Sequence, residues 1–164
     1  MQQARIETLQ QMPIFGGIRA DLLEGLLQAS KVVSVAPGQF FFHEADQAQS
    51  MFVLETGEVE VLKCWDGRVY LLGRLRCGDC FGEMALMDMS PRSASVRALQ
   101  ACVAIELSTA ALHGLYETDV EQFALIQMNL GREVSRRLRL ADERLFQAKV
   151  GALEPYPDAP FPLT

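Results

Sequence analysis

No run of apolar residues in this sequence approaches the ~20 needed to cross a bilayer, and its opening segment, MQQARIETLQQMP, lacks the apolar stretch of a secretory signal. Positive charge is in deficit. Fifteen Lys and Arg against 21 Asp and Glu leave a net charge of −6, whereas a duplex-binding surface calls for a basic stripe. These absences point to a cytoplasmic protein that engages neither nucleic acid nor membrane. Histidine is scarce too. His43 and His113 stand far apart, without the neighbours that would build a metal centre or, with Ser93, a catalytic triad. No enzymatic activity, metal or cofactor is therefore expected. Cysteine is limited to Cys64, Cys77, Cys80 and Cys102, and in the absence of an export signal these are expected to be free thiols. Cys77 and Cys80 form a C-x-x-C that admits two readings: a metal or redox pair, or two small residues on a strand-and-turn segment. The first wants a second ligand pair or a long helix opening at the motif, and the sequence offers neither.

What is present is a globular chain. Residues 1–164 are 49% hydrophobic, enough for one domain with a core of its own. Ile6, Leu9 and Met12, then Leu22, Leu23, Leu26 and Leu27, follow helical spacing over residues 4–12 and 19–29, with PIFGG as a breaker between them. From Lys31 the period drops to two. KVVSVA, QFFFHE, SMFVLE, EVEVLKCW, RVYLLGRL, SASVRAL and CVAIEL read as strands, punctuated by Pro37-Gly38, Thr56-Gly57, Asp66-Gly67 and Gly78-Asp79. Glu58 and Glu60 alternate with Val59 and Val61, the pattern of a strand with one wet face. Short strands at this spacing predict a small antiparallel barrel or jelly roll. After Leu107 the helical period returns. Ser108 or Thr109 can cap a short helix to Tyr116, and a second helix runs from near Thr118 to Lys149. The apolar stripe of that helix is Phe123, Ile126, Leu130, Val134, Leu138, Ala141 and Leu145. The expected organisation is one α+β domain over 1–149, with helices at 1–30, a barrel at 31–107 and closing helices at 108–149. An extended, proline-rich tail follows at 150–164.

One stretch carries chemistry: FGEMALMDMSPRSASV, residues 81–96. A Gly-Glu pair opens a short apolar turn, and an arginine follows nine positions after the glutamate, flanked by small residues that let a ligand approach the backbone. A turn that becomes helical over residues 83–86 directs free N–H groups outward, which suits an anion. Arg92 adds a charge-assisted fork and Ser93 a hydroxyl. Glu83 repels an anion but accepts from hydroxyls beside one, as on a ribose. Sugar and phosphate together describe a nucleotide. On spacing alone a second reading stays open, in which Glu83 and Arg92 pair with each other across a barrel turn.

The same stretch resembles the phosphate-binding cassette of cyclic nucleotide-binding domains: Phe-Gly-Glu, apolar residues, a spacer, then Pro-Arg-small-small-Ser/Thr-Val. PGQFFFHEAD and MFVLETGEVEV, and the order helices, barrel, helices, extend the likeness over most of the chain. The resemblance implies a jelly-roll barrel whose long C-terminal helix acts as a lid. It implies that Glu83 accepts from the ribose 2′-hydroxyl and that Gly82, with the backbone of Met84 and Ala85, completes the cradle. Arg92 would neutralise the cyclic phosphate, with Ser93 and Ala94 beside it. Val61, Leu72 and Leu75 would form the apolar wall at sugar and base, or serve simply as core. Two departures stand out. Ala45 in HEAD replaces the family's usual glycine. Ala141 and Asp142 stand where the catabolite activator type has a hydroxyl pair that reads adenine, leaving Asp142 as either a base-reading acceptor or a solvated charge. Cyclic AMP, the commoner ligand of such domains, is expected ahead of cyclic GMP. No helix-turn-helix follows the long helix, so the resemblance implies a stand-alone sensor. An effector protein, or a second copy docked through the C-terminal helix, would read its lid movement. The alternative is a degenerate member kept as a ligand-independent interaction module.

Overall fold

A computed structural model describes residues 2–152; the segment read as an extended tail lies, from residue 153 on, outside the described residues. The chain divides into two units, Met1–Leu130 and Gly131–Thr164.

In the first unit, helix α1 (Gln2–Gln10) buries Ile6 and Leu9, three positions apart on one face. Met12 ends that face, and Pro13–Phe15 form one 3-10 turn that plugs Ile14 and Phe15 into the core. Helix α2 (Ala20–Gln28) buries Leu23 and Leu26. Eight strands follow: β1 (Lys31–Val35), β2 (Phe40–Phe42), β3 (Ser50–Thr56), β4 (Glu58–Trp65), β5 (Arg68–Arg76), β6 (Cys80–Phe81), β7 (Ser95–Ala98) and β8 (Cys102–Ser108). They form two antiparallel sheets in the orders β1-β8-β3-β6 and β2-β7-β4-β5. Between β6 and β7 lies a short helix, α3 (Met84–Asp88). Helix α4 (Thr109–Thr118) is capped as expected, Ser108 Oγ accepting from the N–H of Ala111 at 3.1 Å. Helix α5 (Val120–Lys149) closes the described helices but for a final 3-10 turn, Val150–Ala152.

The paired strands β3 and β8 separate two cores by the period-two rule. Met51, Val53, Ile105 and Leu107 face the helices and join Leu9, Phe15, Leu23, Leu112, Leu115, Ile126 and Leu130. Phe52, Leu54, Cys102 and Ala104 point the other way, into the space between the sheets, and meet Val59, Phe81, Val96 and Ala98. Asn129, buried on α5, ties that helix down by donating to the carbonyls of Ile14 and Gly16 at 3.2 and 2.9 Å.

The expected wet face of β4 is not wet at its centre. Glu60 is 7% exposed because Arg97 Nη2 reaches its carboxylate at 2.6 Å and Arg74 lies at 3.8 Å. Two arginines on neighbouring strands β7 and β5 cover it, which single-strand alternation cannot reveal. Leu72 also departs from a core reading. The β4–β5 ladder pairs Val61 with Gly73 and Leu62 with Leu71, so Leu72 is the extra residue of a bulge and is 50% exposed.

In the second unit, Glu133 is buried and accepts from Arg136, with Arg137 Nε at 3.6 Å. The hydrogen bond from Arg136 holds its carboxyl below the ordinary value. Beyond it the apolar stripe emerges into solvent, with Leu138 59% and Leu145 53% exposed and Ala141 exposed between them. No helix among the described residues is long and apolar enough to cross a membrane.

Candidate functional site

The cassette begins where β6 ends. Gly82 takes φ +76°, a left-handed conformation that suits glycine, and a Cβ there would run into Arg92 Nη1 and come within 3.3 Å of the Phe42 ring. This one residue therefore serves both the turn and the close approach of the arginine. Glu83 caps α3 with its backbone, its carbonyl accepting from Leu86 and Met87 at 3.0 and 3.1 Å. Met89, at φ +56°, ends the helix, and Asp88 Oδ1 takes the N–H of Ser90.

The HEAD turn holds the arginine's backbone on both sides. The N–H of Arg92 donates to Asp46 O, and Arg92 O accepts from the N–H of Ala45, both at 2.9 Å. Ala45 does so at φ +70°, so the turn keeps the left-handed conformation although the glycine is replaced. Lys63 of β4 adds a clamp, its Nζ donating to Glu44 Oε1 and to Ser93 O, each at 2.7 Å. The lysine lowers the Glu44 pKa from its usual value, helped by the N–H of Cys64.

Side chains complete the site. Arg92 is only 6% exposed, its guanidinium stacked 4.0 Å above the Phe42 ring. Nη1 donates to Gly82 O at 3.0 Å and Nη2 to Ser50 Oγ at 3.4 Å, while Nε is buried with no partner among the described residues. Burial pushes the Arg92 pKa down from its usual value; the carboxylates of Glu106, Asp46 and Glu83, in that order, oppose the shift. Glu83 is 5% exposed, and Ala85 and Ala94 are buried. Met84 is half exposed, with the Ser93 hydroxyl 3.9 Å from its sulfur.

The structure thus brings Gly82, Glu83, Met84, Ala85, Arg92, Ser93 and Ala94 into one turn-and-helix segment between β6 and β7. Val61 and Leu75 pack against the inter-sheet core. Asp142 lies in the second unit, where it is exposed. Sequence reasoning missed Phe42, Ser50, Lys63 and Glu106, because strand pairing, not closeness along the chain, brings them to the cassette. Only the quoted HEAD segment signalled that a distant turn mattered. Chemically, the arrangement offers a desolvated cation with an unused donor, beside an acceptor and a helix-opening turn. That set suits an anion carrying hydroxyls. The C-x-x-C is elsewhere: Cys77 is exposed and its Sγ donates to Glu55 O, and Cys80 is buried on β6. No group of three or more His, Cys, Asp or Glu among the described residues is placed to hold a metal ion.

Comparison with known proteins is consistent with this chemistry. The family model described as "Cyclic nucleotide-binding domain" matches residues 32–119, just over half of the chain and including the whole cassette. A cAMP-dependent protein kinase regulatory subunit of Hypocrea atroviridis is 34% identical over 88 residues, 54% of this chain and 18% of that protein. The Cyclic AMP receptor protein of Thermus thermophilus is 28% identical over 138 residues, 81% of this chain and 60% of that protein. The chain thus spans less than two thirds of the length of either relative. Among solved structures, a cyclic nucleotide-binding domain from Methylobacillus flagellatus superposes with a TM-score of 0.80 at 21% identity, covering 94% of this chain and 86% of that one, and shares the fold. On the match of the family model over more than half of its length, the chain belongs to the cyclic nucleotide-binding domain family.

Proposed function

We propose that this chain is a non-catalytic sensor that binds a purine 3′,5′-cyclic nucleotide, cyclic AMP ahead of cyclic GMP. The observation that carries the reading is Arg92: a buried guanidinium held beside Gly82 and Glu83 with one N–H unused. The cyclic phosphate meets that guanidinium, Glu83 accepts from the ribose 2′-hydroxyl, and Val61, Leu72 and Leu75 line the sugar and base. Relatives described as a Cyclic AMP receptor protein and as a cAMP-dependent kinase regulatory subunit favour the adenine nucleotide.

Ligand binding shifts the C-terminal helix as a lid, and an effector protein or a second copy reads the change. In support of helix docking, Val134, Leu138, Ala141 and Leu145 recur at 4-3-4 spacing, a coiled-coil seam of which Leu138, Ala141 and Leu145 are exposed. The absence of the hydroxyl pair at Ala141 and Asp142 favours a second reading, an interaction module that binds no nucleotide. Thermal denaturation across a titration of cyclic AMP and of cyclic GMP separates the two. A ligand that binds only the folded state adds about 2.7 kcal/mol at a hundredfold excess over Kd, and an unshifted midpoint with both nucleotides would establish the module reading.

A further inference from the structure

We propose that Ser50 and Glu106 form a relay that positions the Arg92 guanidinium for the phosphate. The inference rests on the reading of the cassette given above and extends it to two residues outside the cassette. Ser50 opens β3 and Glu106 lies on β8. In the ladder Phe52 faces Glu106 and Ser50 faces Ser108, so Ser50 and Glu106 are diagonal neighbours on one face. Ser50 Oγ donates to Glu106 Oε1 at 2.7 Å, a charge-assisted bond that commits the hydroxyl's only proton. Its lone pairs are thereby turned to Arg92, whose Nη2 donates to the same oxygen at 3.4 Å. Because its proton is committed, Ser50 has none to offer a phosphate. Its role is exerted through the arginine.

Three contacts then define the guanidinium. Stacking on Phe42 fixes its plane, and Gly82 O and Ser50 Oγ fix its rotation within that plane. An isolated serine hydroxyl rotates freely and can present its hydrogen to a cation; Glu106 removes that freedom. Glu106 is also the carboxylate that most strongly offsets the burial of Arg92. The relay leaves Nε, the donor without a partner among the described residues, as the group to be satisfied by an incoming anion.

The test compares wild type with Ser50→Ala and Glu106→Gln, each alone and combined with Arg92→Ala. Nitrogen-15 spectra of arginine-labelled, ligand-free protein identify the Arg92 Nη signals by their loss in Arg92→Ala. Slow rotation of that group in wild type, becoming fast in Ser50→Ala and in Glu106→Gln, is the expected result. Cyclic AMP affinity should fall roughly 3- to 10-fold in both variants, the range for one lost hydrogen bond. Adding either change to Arg92→Ala should cost nothing more. Unaltered Arg92 signals in both single variants, or an equal loss of affinity in the Arg92→Ala background, would overturn the relay. If wild type binds neither cyclic AMP nor cyclic GMP while the Arg92 signals still respond, the relay stands and the nucleotide reading falls.

Discussion

Ala45 sits at φ +70°, a conformation that an L side chain enters at a cost of about 1–2 kcal/mol. Its N–H and the carbonyl of Asp46 clasp the backbone of Arg92, so the strain is stored directly beside that arginine. Glycine would remove it while loosening the unfolded chain, for a net gain of about 0.5–1 kcal/mol. Ala45→Gly should therefore raise the melting temperature by about 2–3 °C, and a lower midpoint would show that the turn is not strained. Glu83 supplies a second residue-scale outcome. A 2′-deoxy cyclic nucleotide should bind wild type more weakly than its ribo counterpart, and Glu83→Ala should shrink that difference. Competition binding that finds the difference unchanged would give Glu83 a structural role. The cassette residues themselves were legible in the sequence because Gly82, Glu83 and Arg92 are close together and flanked by small residues. Phe42, Ser50 and Glu106 were not, because only strand pairing brings them near.

At the scale of elements, alternation placed β3, β4 and β8 correctly. It misread the outer face of β4, where Arg97 and Arg74 cover Glu60 from the neighbouring strands. Helix α5 was legible as one long periodic segment, but its stripe changes character along its length: Ile126 and Leu130 are buried, Leu138 and Leu145 exposed. Glu133 lies between the buried and the exposed members. Because Arg136 holds its folded pKa below the ordinary 4.5, the carboxylate contributes stability above that value and loses the contribution as pH falls through the folded pKa. Glu133→Gln should accordingly be less stable than wild type near neutral pH, the gap closing as pH falls through the lowered folded pKa. A gap independent of pH in chemical denaturation would mean that the charge is not what matters. Asp142, farther along the same helix, is either a base-reading acceptor or a solvated charge, and on the first reading it meets the base edge. Asp142→Ala should then change the ratio of cyclic AMP to cyclic GMP affinity by about 1–3 kcal/mol while sparing a ribose-phosphate analogue. An unchanged ratio returns Asp142 to the solvent.

Across the whole molecule, the sequence announced its order by switching from helical period to period two and back. The division of labour between the two cores came from the structure, since β3 and β8 are apolar on both faces and a single strand does not say which face meets helices. The proposed function requires Arg92 to hold a cyclic phosphate. Calorimetric titration of cyclic AMP and cyclic GMP into wild type and Arg92→Ala tests it most directly, with melting curves of both ligand-free proteins as the control for folding. We expect saturable binding to wild type and a loss of about 2–5 kcal/mol, at least roughly 30-fold in Kd, in the variant. The ligand-free midpoints should agree within about 3 °C. Equal affinities, or no binding by wild type together with a collapsed melting temperature in Arg92→Ala, would contradict the claim and make the arginine a structural residue.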